Sequence, residues 1–492
     1  MSKSSNMLRE KMIGGLLGKA VGGTLGAPYE GCRGPLKLKY YDPVPQEMLP
    51  NDDLDLQVLW ACKLKDEWNG ILSCDNFADA WLNCVAFPFD EYGIAIRNIK
   101  LGLRGRAIGI YDNAFADGLG AAIRSEIWAF LAPGNPELAM KYAKIDGCID
   151  HFGSGLDAAL FLTAMESMAF TEPDIPKLIK KSLDLLPKKS FFKEAMKDVV
   201  KLCKKCSDVK KIRKSILEDY GDDSFTDVHQ NIAFVIAALL LGKGDFSKSI
   251  CLAVNFGCDT DCTGATVGAI LGIISPDGIP KKWLKPIGSN LVVSKEITGI
   301  KAPATLDEFA DMILELRKNI HIIDDMKQDI PEKLLEIRGK CGTTANWFAD
   351  DFRRCPVNIQ NLRDDVVFSG NYVEVDFSGL NPDTILVYEV EFDLDKEDDY
   401  LVMVSTTANM RTWVDGKYAF GQEFGKFVPA LHRTPLNQRE SMKLGKGKHK
   451  LAFALAPVTE EMDTAPVFFS IGRKSDRMHV HNAFARKVFE NN

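Results

Sequence analysis

The stretch FGCDTDCTGATVGAILG, Phe256 to Gly272, sets Asp259 and Asp261 one residue apart in front of a run of glycine, alanine and aliphatic residues. The run reads as a tightly packed, buried helix, with both acids at its mouth. Desolvating an unpaired ion costs several kcal/mol, so two negative charges at such a place call for a reason. A second run, GGLLGKAVGGTLG, spaces Gly14, Gly18, Gly22 and Gly26 four apart, on one face of a helix. The segment is too short for a membrane dimer and carries Lys19. Its glycine face is therefore expected to let two helix backbones approach closely.

Outward from these runs the signals stay helical to about Asn319. PELAMKYAKIDGCIDHFGSGLDAALFLTAMESMAF (Pro136 to Phe170) reads as two helices, with apolar positions at three- and four-residue intervals. TLDEFADMILELRKN starts with Thr305 as N-cap and Glu308 three residues later. The expected organisation is a large all-α domain over residues 1–320, a connector with a short helix or two over 321–357, and an all-β sandwich over 358–492. In that last part NYVEVDF, ILVYEVEFDL, YLVMVST and HKLAFALAP have strand length and period, and RTWVDGKYAF is a hairpin with Asp415-Gly416 at its turn. The pattern is similar to jelly-roll or galactose-binding-like accessory modules. Trp413 and His432 are its candidates for a binding surface, with core packing the plainer reading for the tryptophan.

Composition bounds the class. Of 492 residues 46% are hydrophobic and 26% charged, the balance of a soluble globular protein. A net charge of −7 argues against nucleic acid or an anionic membrane as partner. IAFVIAALLLG (Ile232 to Gly242), the longest strongly apolar run, falls short of the roughly 20 residues that span a bilayer. The first residues make a poor signal peptide because charges interrupt the apolar region. Twelve scattered cysteines suit a reduced, cytoplasmic setting. Cys203 and Cys206 form a CxxC without a second pair at zinc-finger spacing.

A second acidic cluster, Asn51, Asp52, Asp53 and Asp55, precedes another amphipathic helix. Capping accounts for one acid per helix, because Asn and Asp favour the positive end of the helix dipole. It does not require Asp-Asp at one start and Asp-x-Asp at another. Like charges at low dielectric raise one another's pKa or bind a cation. Hard oxygen ligands suit Mg²⁺, Mn²⁺ or Ca²⁺. Two acid pairs suggest two ions, roughly 3.5–4 Å apart, that orient a water and a substrate. On spacing alone, capping stands beside metal binding as the alternative.

Taken in order, GGLLGKAVGGTLGAPYEG, NDDLDLQ and GCDTDCTGATVGAILG resemble the ADP-ribosylglycohydrolase family of the dinitrogenase-reductase-activating glycohydrolase type. GAAIRSEIW and IDHFGSG lie between them, and the likeness runs from about residue 8 to 318. The resemblance implies a helical domain with a binuclear Mg²⁺ or Mn²⁺ site that hydrolyses the bond between ADP-ribose and its acceptor. By motif it makes Asn51, Asp52, Asp53, Asp259, Asp261 and Cys262 the metal ligands. Glu30, Asp53 and Asp261 would be catalytic, with Glu30 assisting the attacking water. Gly118 and Gly120 would meet the pyrophosphate through backbone N–H groups, and His151 would line the ribose and phosphate pocket.

Four positions depart from the family pattern. Asn51 stands where a threonine is usual, Cys262 takes the place of the last Thr or Ser, Gly23 replaces an acid, and Leu119 replaces a common Asn before the loop glycine. A thiol is a poor ligand for Mg²⁺. Thr263 is the neighbouring substitute, Asn231 a candidate support for the ligands, and Glu126 a plain salt-bridge partner. Beside ADP-ribosyl hydrolysis stand two alternatives: hydrolysis of another N- or O-glycoside, and a non-catalytic binding protein.

Overall fold

The computed structural model describes residues 3–327, 330, 336–345, 362, 364–381, 384–480, 483 and 484. It divides into two compact units, one of Met1–Ala86 with Phe115–Lys327, the other of Phe87–Ala114 with Gln328–Asn492.

The first unit is helical, with one short parallel pairing of Ile71–Leu72 and His321–Ile322. Its centre is the N-terminal helix Lys3–Gly26 packed on the helix Thr260–Ile274. The glycine faces meet in register. A Cβ at Gly14 would lie 2.4 Å from the Gly272 carbonyl oxygen, one at Gly18 2.0 Å from that of Gly268, and one at Gly22 1.9 Å from that of Gly264. No larger residue fits such backbone contact, so the four-residue spacing sets both the separation and the register of the pair. The two helices read from Pro136 to Phe170 are Pro136–Gly147 and Gly153–Ala169. Thr305 caps Leu306–Leu316 by accepting from the Glu308 N–H at 3.2 Å, while Glu308 Oε2 accepts from the Ala304 N–H at 2.9 Å.

The second unit holds two antiparallel sheets. In one the order is Arg439–Leu444, Asp398–Thr406, Thr464–Arg473, Tyr372–Asp376. In the other it is Asp364–Phe368, Ile337–Ala345, Thr384–Leu394, Gly447–Ala456, Asn409–Val414, Lys417–Gln422. Val402, Val404, Val467 and Phe469 of the first sheet share a core with Val390, Phe392, Leu451 and Phe453 of the second. The hairpin turn at Asp415-Gly416 has φ of 49° and 74°, the positive values that such a turn needs. Trp413 is fully buried, while His432 lies 3.7 Å from Asp90.

Two stretches fall differently from the expected boundaries. Strand Ile337–Ala345 lies inside the expected connector, because IRGKCGTTA pairs through its backbone without alternating apolar side chains. Residues 87–114, helical as expected, group with the sheets. Asp112 there bonds the Tyr372 N–H at 2.5 Å and pairs with Arg97 at 3.0 Å, and Asp90 pairs with Arg433. Of the connector expected over 321–357 to hold a short helix or two, residues 328–329, 331–335 and 346–357 lie outside the described residues. No helix among the described residues is long and apolar enough to cross a membrane.

Candidate functional site

Backbone geometry brings three acid-bearing segments together. The N-terminal helix runs into the turn Ala27–Tyr29, and Glu30 follows it, exposed. Gly31 then donates its N–H to the Cys258 carbonyl at 3.0 Å, and Cys258 donates to the Cys32 carbonyl at 2.7 Å. This pairing holds Glu30 beside Asp259. Gly257 has φ of 85°, and a Cβ there would lie 2.6 Å from the Arg33 carbonyl carbon, so glycine is required at the crossing. Asn231 Oδ1 accepts from the Asp259 N–H at 3.1 Å, and its amide donates to the Phe225 and Asp227 carbonyls. It supports the Asp259 backbone, as its sequence position suggested.

The acids are not caps. Asn51 caps the helix Asp52–Asp66: its Oδ1 accepts from the Asp53 N–H at 2.8 Å. Asp259 occupies the N-cap position of Thr260–Ile274 without any side-chain capping bond. Asp259 Oδ1 and Asp261 Oδ1 are buried and have no hydrogen-bond partner. The Asn51 amide donates to Asp261 Oδ2 at 3.3 Å. The oxygen that Asn51 would offer a metal is thus already engaged in capping.

Atoms of Asp53, Asp261 and Cys262 lie within 4.8 Å of one another, in a group that could hold a metal ion. Burial raises the carboxyls of Asp52, Asp259 and Asp261, and their neighbours add to the effect. Asp259 is pushed up to about 8 by burial and then by Glu30. Asp261 is raised well above the carboxylate range by burial, Asp259 and Glu30. The Cys262 thiol is raised by burial and by the same acids, and it donates to Asp53 Oδ1 at 3.3 Å. The Thr263 hydroxyl turns away to the Thr260 carbonyl, so it does not replace Cys262.

Behind Asp53 is a network that sequence reasoning missed. Lys19, 2% exposed, donates to Asp53 Oδ2 at 3.3 Å, Glu126 Oε1 at 2.9 Å and the Ile123 carbonyl at 2.7 Å. Gln57 donates to Glu126 Oε2 at 2.8 Å. Glu126 is therefore a salt-bridge partner, as expected, and a buried one. Gly23 also finds its reason here. A Cβ at that position would lie 2.9 Å from Asn51 Nδ2, so the missing acid and the asparagine that replaces threonine belong together.

The remaining site residues belong to other segments of the helical unit. Gly118 donates to the Phe115 carbonyl in a turn, and Gly120 opens the short buried helix Gly120–Ile123. His151, 1% exposed, pairs through Nδ1 with Asp150 at 2.9 Å. Burial would raise Asp150, but Arg124 and His151 outweigh it and hold the group at about 2. Arg124 also grips Asp146 at 3.0 Å. His151 is thus held in a buried ion network, whereas Glu30 faces solvent.

The two buried oxygens without hydrogen-bond partners, Asp259 Oδ1 and Asp261 Oδ1, are hard donors of the kind that suits a hard divalent cation. The ADP-ribosylglycohydrolase family profile matches residues 4–320. An uncharacterized protein of Archaeoglobus fulgidus is 24% identical over 339 residues, which cover 64% of this chain and 99% of that protein. A solved structure described as an ADP-ribosylglycohydrolase-related protein complex is 19% identical, covering 64% of this chain and 99% of its own, with a TM-score of 0.42. An anti-sigma factor domain-containing protein from Clostridium clariflavum covers 28% of this chain and 42% of its own at 13% identity, with a TM-score of 0.18. With the family profile spanning most of its length, the chain belongs to the ADP-ribosylglycohydrolase family.

Proposed function

We propose that residues 4–320 hydrolyse the glycosidic bond of ADP-ribosyl compounds with Mg²⁺ or Mn²⁺ as cofactor. The observation that carries this reading is the pair of buried, unpartnered oxygens, Asp259 Oδ1 and Asp261 Oδ1, at a helix start they do not cap. Buried acids without partners are destabilising unless a proton or a cation joins them. Asp52, Asp259 and Asp261 would hold the ion, with Glu30 at the rim. A divalent ion bound there supplies fixed positions for ribose hydroxyls and a more acidic water.

The chain's own residues do the rest. Glu30, exposed beside Asp259, accepts a proton from the attacking water. The anomeric C–N or C–O bond breaks with oxocarbenium character, which the surrounding carboxylates stabilise. The water oxygen bonds to the anomeric carbon, and Glu30 hands the proton it took to the leaving atom. Asp53 orients the site from behind, fixed by Lys19 and Cys262.

The substrate is small-molecule or protein-linked ADP-ribose. A net charge of −7 favours neither nucleic acid nor an anionic membrane as partner, and free thiols suit the cytoplasm. The test uses the full chain with N- and O-linked ADP-ribosyl peptides, and follows released ADP-ribose by chromatography. Turnover should require Mn²⁺ or Mg²⁺ and stop with EDTA. Asp261→Asn should lower it by at least about a hundredfold with unchanged circular dichroism. Undiminished turnover by that variant refutes the reading.

A further inference from the structure

We propose that Lys19 stands in place of one of the two metal ions expected at this centre, so that the chain binds one divalent cation. The inference rests on the metal reading above and concerns how many ions the site accepts.

A second ion would need Asp53, and each oxygen of Asp53 already accepts a hydrogen bond. Oδ2 accepts from the Lys19 ammonium and Oδ1 from the Cys262 thiol, each at 3.3 Å. The only candidate group of at least three ligands found among the described residues, Asp53, Asp261 and Cys262, therefore has two members already bonded to each other. The thiol is the wrong donor for a hard cation. The ammonium is built in. Its three N–H bonds go to Asp53, Glu126 and the Ile123 carbonyl, which matches a lysine's full donor count. It is 2% exposed and fixed on a helix whose glycines admit no sliding. A divalent ion on Asp53 Oδ2 would face that positive charge at hydrogen-bond range.

Two oxygens stay open. Asp259 Oδ1 and Asp261 Oδ1, 3% and 6% exposed by residue, have no partner. They belong to the segment that Glu30 and Asp52 approach. One cation on Asp259 and Asp261 uses the two buried oxygens there that have no hydrogen-bond partner, and Asp53 becomes a positioning residue.

The test is a Mn²⁺ titration of the full chain by equilibrium dialysis, with the bound ion read by electron paramagnetic resonance. The expected result is one Mn²⁺ per chain with the uncoupled six-line pattern of an isolated ion. In Lys19→Met, Asp53 and Glu126 lose their counter-ion, and the count should rise to two with exchange-coupled lines. Two ions in the natural chain would overturn this inference and leave the hydrolase reading standing. No ion at all would overturn both. A folded Lys19→Met that still binds one ion would overturn the role given to the lysine. Should that variant fail to fold, the count in the natural chain still decides.

Discussion

Replacing Gly22 by alanine should separate the two halves of the site by loosening the helix pair that holds them. The new Cβ would stand 1.9 Å from the Gly264 oxygen and 2.2 Å from its carbonyl carbon. Ordinary contact begins near 3.4 Å, so the backbones must part by about 1.5 Å there. Alanine returns up to about 1 kcal/mol of helix propensity. Overpacking against rigid backbone costs about 1–3 kcal/mol or more, so a net loss of about 2 kcal/mol is expected. For a helical unit of this size that lowers Tm by about 4 °C. The larger effect is on metal. Ligand distances tolerate about 0.2 Å, so Mn²⁺ affinity should fall at least about tenfold. Calorimetric titration with Mn²⁺ and a thermal melt measure both, with Gly445→Ala as control, since nothing lies within 4 Å of that position. A Gly22→Ala protein with unchanged Tm and unchanged Mn²⁺ affinity would refute close helix packing as the device that assembles the site.

The raised carboxyls set a pH dependence. Asp52, Asp259 and Asp261 keep protons in the folded, metal-free protein at pH values where the unfolded chain has lost them. The folded state then binds more protons, so stability falls as pH rises from the ordinary carboxylate range to about 8, where burial holds Asp259. Melts in EDTA should fall from pH 5 to pH 8, and Mn²⁺ should restore more at pH 8; a metal-free Tm that rises over this range opposes the assignment. Gly23→Asp should displace the Asn51 side chain from its cap and cost about 1 kcal/mol. In an Asn51→Thr background the cost should shrink, giving a coupling of at least about 0.5 kcal/mol in chemical denaturation; strict additivity would disconnect the two positions.

Much of this architecture is written in local spacing. The four-residue glycine period in residues 14–26 and the small-residue run after Asp261 each announce a helix that must touch another backbone, and they meet each other. Asp415-Gly416 announces its turn, and Thr305 with Glu308 its helix start. Such signals work because they depend on residues a few positions apart. Strand Ile337–Ala345 has no such signal. It is held by backbone bonds to Thr384–Leu394 and to Asp364–Phe368, and its glycines and lysine give no alternation to read. The attachment of residues 87–114 to the sheets was hidden for the same reason, since Asp90 and Asp112 find Arg433 and Tyr372 hundreds of positions away.

At the site, the acids were legible and their management was not. Asp259 and Asp261 before an apolar run pose the problem of buried charge in the sequence itself. The answer lies in residues that looked incidental. Lys19 sits in the middle of a glycine and aliphatic run where water cannot reach it, so a partner of opposite charge is required, but the sequence does not say which. Its partners prove to be 34 and 107 positions away. Cys262 follows the same logic. Read as a faulty ligand it is a defect, whereas beside Asp53 it is a donor that completes an oxygen the lysine leaves open. Asn51 and Gly23 form a further exchange, in which an amide fills the space of a missing acid and keeps the helix cap. Gly23 and Asn51 are thus paired in space and Cys262 is bonded to Asp53, and together they rebuild one side of the centre from the chain's own donors while leaving Asp259 Oδ1 and Asp261 Oδ1 open to a cation.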